Sequence, residues 1–176
     1  MTLTFRSVLF FFYLTPLAIA NDLATVDFVD LDKYVGRWYE IARYPFSQQA
    51  GCHNTLAEYS KNDDGTITVK NSCRKGSFTG PESVAMGKAR VTDAQTQAKL
   101  EVKFFFLAPW SDYWVIQRGA QYEYAVVSQP SRRYLWILSR TPAMEPSVYG
   151  NILRELEVNG FNLSRLEKTP QDWGRL

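Results

Sequence analysis

Residue types that carry most enzyme and metal chemistry are scarce in this 176-residue chain, which has one histidine, His53, and two cysteines, Cys52 and Cys73. A single imidazole excludes a multi-histidine metal site. A hydrolytic triad needs a nucleophile and an oriented base in contact. His53 follows Cys52 directly, and neighbours on a strand face opposite sides, so the two make no such pair. Two lesser chemistries stay open: free thiols would suit an isomerase, and His53 could bind a haem iron axially. The cysteines also flank a turn signal, Asn62-Asp-Asp-Gly65. A four-residue loop, Lys61 to Asp64, sets Cys52 opposite Cys73, at a spacing close to disulfide geometry. A two-residue loop at Asp63-Asp64 sets Asn54 there instead and leaves Cys52 on a diagonal that is too long without a bulge.

The compartment favours a Cys52–Cys73 disulfide. Arg6 precedes the apolar run from Ser7 to Leu14, and Pro16 leads into Ala18-Ile19-Ala20. That is the pattern of a signal peptide, residues 1–20, cleaved after Ala20, and its apolar run is too short to span a bilayer. Export to an oxidising compartment favours the bond. The remaining residues, 21–176, suffice for one domain. Basic and acidic side chains nearly balance, 20 against 18, which excludes the basic footprint of a nucleic-acid binder. Aromatic residues reach 15%, which favours strands around a deep apolar interior.

Turn residues cut the domain into eight short strands: Arg37 to Tyr44, Cys52 to Ser60, Thr66 to Ser72, Ser83 to Thr92, Lys99 to Leu107, Tyr113 to Arg118, Tyr122 to Ser128 and Tyr134 to Ser139. Short links imply antiparallel neighbours, in a meander barrel or a sandwich. After Pro142 the apolar period becomes helical: Val148, Ile152, Leu153 and Leu156 form one stripe, and Asn159-Gly160 ends it. In the fifth strand Leu100, Val102, Phe104 and Phe106 share a face. In the fourth, the face formed by Ala85, Gly87, Ala89 and Val91 is small, which would leave room inside a barrel. Glu40 shares parity with Trp38 and Ala42. Pro109-Trp110 is an exposed-aromatic candidate for partner contact.

The segment from Leu31 to Arg43, with Gly36-x-Trp38 at its centre, resembles the opening motif of the lipocalins. Gln121-Tyr122-Glu-Tyr-Ala-Val-Val127 is similar to the second motif, with Gln121 where a loop-capping Asp is usual. Leu135-Trp-Ile-Leu-Ser-Arg140 is similar to the third. The order covers nearly the whole domain, and the chain looks most like bacterial lipocalins of the outer-membrane-lipoprotein type, themselves similar to apolipoprotein D. The resemblance implies an all-β, eight-stranded antiparallel up-and-down barrel, a calyx, with the C-terminal helix packed outside.

It also implies that Gly36, Trp38 and Arg140 are structural, with Trp38 plugging one end beneath the Arg140 cation. By the same alignment Thr55, Ala57, Tyr59, Leu100, Val102, Phe104, Tyr113 and Val115 face the lumen, and Trp136 joins them by parity with Arg140. An apolar lumen of this kind implies a carrier of fatty acids or lysophospholipids that needs no cofactor or metal and is not an enzyme. A haem or tetrapyrrole carrier using His53, and an isomerase, are the alternatives. The bacterial type carries an anchoring lipobox cysteine that this sequence lacks. The expectation is therefore a periplasmic protein, associated with the outer membrane or free, or a secreted one. Contact with a membrane surface and a homodimer complete the expected partners.

Overall fold

The structure, a computed structural model, describes residues 22–175, so the expected leader and its cleavage site lie outside the described residues. A short helix α1 (Leu31–Tyr34) precedes eight strands: β1 (Gly36–Arg43), β2 (Cys52–Lys61), β3 (Ile67–Lys75), β4 (Glu82–Val91), β5 (Lys99–Lys103), β6 (Ser111–Arg118), β7 (Tyr124–Ser128) and β8 (Leu135–Ser139). Helix α2 (Pro146–Val158) and a two-residue strand β9 (Glu167–Lys168) follow. Each strand pairs antiparallel with the next, β8 returns to β1, and β1 also pairs with β2. The sheet is thus a closed up-and-down barrel with α2 outside it. Closure removes the exposed edges that an open sheet of this length would present.

Strand parity divides the apolar residues between two cores. Ala125, Val127 and Leu138 point into the barrel with Trp38, Tyr59, Val69 and Leu100. Their neighbours Val126 and Ile137 point outward, against Ile152 and Leu156 of α2 and against Tyr44 and Phe161. Pro146 stands in the first turn of α2, where its missing N–H costs nothing. Asn159 caps the helix, and Gly160 at φ +78° turns the chain away.

Most strand boundaries shift by a residue or more from the sequence reading, β3 running on to Lys75 and β6 starting at Ser111. The shifts at β5 and β7 move Phe105 and Tyr122 out of their strands. β5 ends at Lys103, and Phe105, Phe106 and Leu107 stand in the following loop at 76%, 89% and 91% exposure. An apolar run reads as strand in sequence, but no partner strand extends that far. Tyr122 sits in the turn before β7 with φ +59°. The missing Asp at Gln121 is compensated there, because the Glu123 carboxylate accepts from the Gln121 N–H at 2.9 Å. β9 has no apolar signal and is seen only in three dimensions.

The β2–β3 hairpin follows neither loop considered above. Lys61 pairs with Ile67, and residues 62–66 make the turn, with Gly65 N–H donating to Asn62 O at 3.0 Å. This register sets Cys52 opposite Lys75. A register shift between His53 and Leu56, with Asn54 at φ +48°, brings the diagonal within reach. The Cys52–Cys73 disulfide forms there with Cα atoms 5.5 Å apart. It closes a loop of 21 residues, for which the chain-entropy relation gives about 3 kcal/mol. We expect Cys52→Ser with Cys73→Ser to lose about that much in urea unfolding; a loss below about 1 kcal/mol would show an already constrained unfolded hairpin.

Candidate ligand-binding site

One end of the barrel is closed. The turn of α1 lies across it, and the Trp38 ring is fully buried with its Nε1–H donating to Tyr34 O at 2.8 Å. Arg140, the residue after β8, stacks its guanidinium 3.7 Å from the Trp38 ring centre. The same guanidinium donates to Lys33 O (2.5 Å), Tyr34 O (3.2 Å), Val35 O (3.1 Å), Arg37 O (2.8 Å) and Tyr122 O (3.3 Å). One side chain thereby ties α1, the start of β1 and the β6–β7 turn together. Gly36 has φ +96°, and a Cβ there would lie 3.5 Å from Arg140 Nη1, so backbone conformation excludes a larger residue. Asp30 N–H donates to Tyr122 Oη at 2.7 Å, adding a second tie across the same end.

β1 starts at this end, so the β1–β2, β3–β4, β5–β6 and β7–β8 loops all lie at the other, which is the mouth. Between the two ends runs an apolar lumen. A cavity of about 20 Å³ is lined by Tyr34, Tyr59, Ile67, Val69, Ala89, Leu100, Val102 and Tyr113. Of the residues named from sequence, Tyr59, Leu100, Val102 and Tyr113 line it. Ala57 and Val115 belong to the same core, and Phe104 and Trp136 pack against it. Thr55 is buried outside that cluster, and its hydroxyl has no hydrogen-bond partner among the described residues. Tyr34, Ile67 and Val69 were missed, and Ala89 was placed on the small face of the fourth strand but not named as lining. Ile67, Val69 and Ala89 were legible from strand parity, while Tyr34 enters only because α1 folds over the end. The space left by the small residues of β4 is used by Phe104, whose ring would lie 2.9 Å from a Cβ on Gly87.

The lumen has a polar rim. Glu40 is buried, accepting from Thr169 Oγ1 at 2.5 Å and from Gln49 Nε2 at 2.8 Å, with Arg43 Nε at 3.4 Å. Gln49, from the β1–β2 mouth loop, also accepts from Trp136 Nε1 at 3.2 Å. Glu40 does not share a face with Ala42 as alternation predicts. The β1–β8 register shifts between them, and Ala42 joins the outer core. Burial pushes the Glu40 carboxyl above its ordinary value, against the opposing pull of Thr169, Gln49 and Arg43.

A larger cavity, about 90 Å³, lies on the outer face of β2–β3 beneath Trp173. Its lining includes Glu58, Lys70, Arg74 and Glu82, which suits no apolar ligand. His53 sits at the mouth, where its ring meets Phe78 edge-on at 5.0 Å and Nδ1 lies 3.3 Å from Gly51 O. Among the described residues no three metal-ligating side chains come together. Trp110 is half-buried rather than exposed, with Arg90 and Lys103 at 4.3 and 4.7 Å from its ring centre.

A closed antiparallel barrel with one stoppered end and an apolar interior defines a calyx-type binding protein. The chain belongs to the lipocalin-like family, whose domain matches residues 29–171 and whose members bind small hydrophobic ligands. It is 38% identical to temperature-induced lipocalin-1 of Arabidopsis thaliana over 160 residues, 86% of this chain and 84% of the relative. It is 38% identical to outer membrane lipoprotein Blc of Escherichia coli K12 over 144 residues (81% and 80%), and 33% to apolipoprotein D of Mus musculus over 150 (81% and 77%). The fold superposes on insecticyanin from the tobacco hornworm Manduca sexta with a TM-score of 0.71 at 22% identity, covering 88% of this chain and 87% of that one.

Two outcomes are expected from the site. Arg140→Lys keeps the charge but loses the flat stack and most of the carbonyl bonds. It should cost about 2 kcal/mol or more in urea unfolding. For Glu40, a raised folded value means the native state holds the proton more tightly than the unfolded chain. Stability is then greatest below the ordinary carboxyl value of 4.5 and falls as pH rises through the folded value. Relative to Glu40→Gln, the native protein should lose stability over that window, and parallel stability–pH curves would contradict it.

Proposed function

We propose that this protein is an exported, non-enzymatic carrier that takes long acyl chains, as fatty acids or lysophospholipids, from membranes. The observation that carries the reading is the apolar set of side chains that fills the barrel above the Trp38 stopper and lines its inner cavity. Each methylene buried there contributes about 0.8 kcal/mol, so a chain binds with few hydrogen bonds. Uptake must displace side chains, because a 20 Å³ cavity is far below the size of a lipid site. Phe104 is suited to move, since it follows the last residue of β5 and is only half-buried. Ala57, Thr55 and Trp136 then line the path from the mouth inward, and Val115 lies deeper.

The mouth supports a membrane as the source. Phe105, Phe106 and Leu107 project from the β5–β6 loop, with Lys103 5.9 Å from the Phe106 ring. An apolar tip beside cations matches an interface with anionic headgroups. The leader pattern and the disulfide support export, and likeness to lipoproteins of the outer membrane and to apolipoprotein D supports a lipid setting. The periplasm is the compartment this reading favours, and a homodimer is compatible with it.

The test is extraction. Protein without its leader is incubated with vesicles of phosphatidylcholine and anionic lipid containing lysophospholipid, separated, and assayed by mass spectrometry and Trp fluorescence. Lysophospholipid should leave with the protein and perturb the fluorescence. The combined change Phe105→Ser, Phe106→Ser and Leu107→Ser should slow loading from vesicles without weakening binding of monomeric lipid. Protein recovered without lipid would refute the carrier reading.

A further inference from the structure

We propose that a phenol cluster deep in the lumen recognises a neutral oxygen at the end of the ligand that enters first, so that chains oxygenated at that end are preferred cargo. The proposal rests on the carrier reading and adds to it which chains are chosen. Tyr34 comes from α1, Tyr59 from β2 and Tyr113 from β6, three elements far apart in sequence. Their hydroxyls meet: Tyr113 Oη lies 2.8 Å from Tyr34 Oη and 3.1 Å from Tyr59 Oη. Tyr34 and Tyr59 are 2% and 9% exposed.

Counting hydrogens decides what this cluster can do. Each phenol brings one hydrogen, and each bond between phenols uses one. Three hydrogens and two bonds leave one O–H without an acceptor among the described residues, whichever way the bonds run. All three phenols line the same small cavity, whose other walls are Ile67, Val69, Ala89, Leu100 and Val102. The surplus donor therefore faces an apolar chamber, where an unmade hydrogen bond is costly. An oxygen at the leading end of a chain completes it. A hydroxyl does so best, because it accepts the surplus hydrogen and can return its own to a phenol lone pair.

The cluster selects against charge. Burial holds the phenols protonated: Tyr59 is pushed up to about 12, and Tyr34 and Tyr113 are raised well above the ordinary phenol value by the same cause. A carboxylate reaching them would need a counter-ion. The nearby cation, Arg140, already holds five backbone carbonyls and lies flat on Trp38. An unpaired buried charge is far costlier than a neutral group with its hydrogen bond made. Carboxylate or phosphate headgroups thus stay at the mouth, and a hydroxyl, ketone or ester carbonyl fits at the inner end.

The experiment compares saturated fatty acids of ten to eighteen carbons with their ω-hydroxy counterparts, using Trp fluorescence of the protein without its leader. Both series keep the carboxylate at the mouth and differ only at the inner end. At the lengths that reach the floor, the ω-hydroxy acid should bind three- to tenfold more tightly. Combining Tyr34→Phe, Tyr59→Phe and Tyr113→Phe keeps every ring and removes all three hydroxyls, and should invert the order. Removing one phenol is uninformative, since a surplus hydrogen remains in each case. Plain acids that bind as tightly as ω-hydroxy acids at every length, or a preference that survives in the triple variant, would overturn the proposal while leaving the carrier reading intact. Binding of neither series would overturn both.

Discussion

The barrel depends on the stack of Arg140 over Trp38. The end of a β-barrel exposes strand termini and a cross-section of core, and a turn of helix alone covers it poorly. Here a buried indole fills the cross-section, and a cation lies on its face with its N–H groups directed at the carbonyls that α1 and the start of β1 leave without partners. Guanidinium is suited to both tasks because it is flat, weakly hydrated and rich in donors. Burial lowers the Arg140 pKa, which records the cost of holding that charge there. The carbonyl bonds and the aromatic face are what offset it.

Closing one end gives the other its character. The mouth combines a disulfide beside β2, a C-terminal strap and an apolar loop tip. The strap fills the gap where β2 parts from β1. β9 pairs with β1, Thr169 N–H donates to Ile41 O, and Asn54 N–H donates to Pro170 O. Gln171 Nε2 bridges Glu40 O and Thr55 O at 2.7 and 3.0 Å. A barrel that separated here without the strap would expose backbone donors and acceptors. The strap also supplies Thr169 to Glu40, so the carboxylate buried beside the lumen is held by the element that seals the seam.

Two kinds of polar group thus border the apolar interior. Near the mouth, Glu40, Arg43, Gln49 and Trp136 form a connected set. Deeper down, among the described residues, the three phenols bond to one another. The first set is bonded to the β1–β2 loop through Gln49 and to the C-terminal strap through Thr169. The second is bordered by the aliphatic side chains of Ile67, Val69, Ala89, Leu100 and Val102.

The sequence by itself determined the parts that depend on local order. Turn residues cut the strands, alternation set Leu100 and Val102 on one face of β5 and Ala89 on the small face of β4, and a 3.6-residue period marked α2. The three motifs, ending at Arg140, carried the resemblance to the family that the chain proved to belong to. What only the tertiary structure decided depends on register and on distant segments. One shifted residue moved Ala42 out of the lumen, and another let the cysteines join along a diagonal. The β5 boundary was set by the absence of a partner strand rather than by the apolarity of Phe105 to Leu107. β9, Gln49 and Thr169 carry no periodic signal, because their work is hydrogen bonding to residues far away in the chain. The phenols are single letters spread over 80 positions. Only the closing of the barrel places their oxygens within a hydrogen bond of each other, because it is the ring of strand pairings that fixes distance across a lumen.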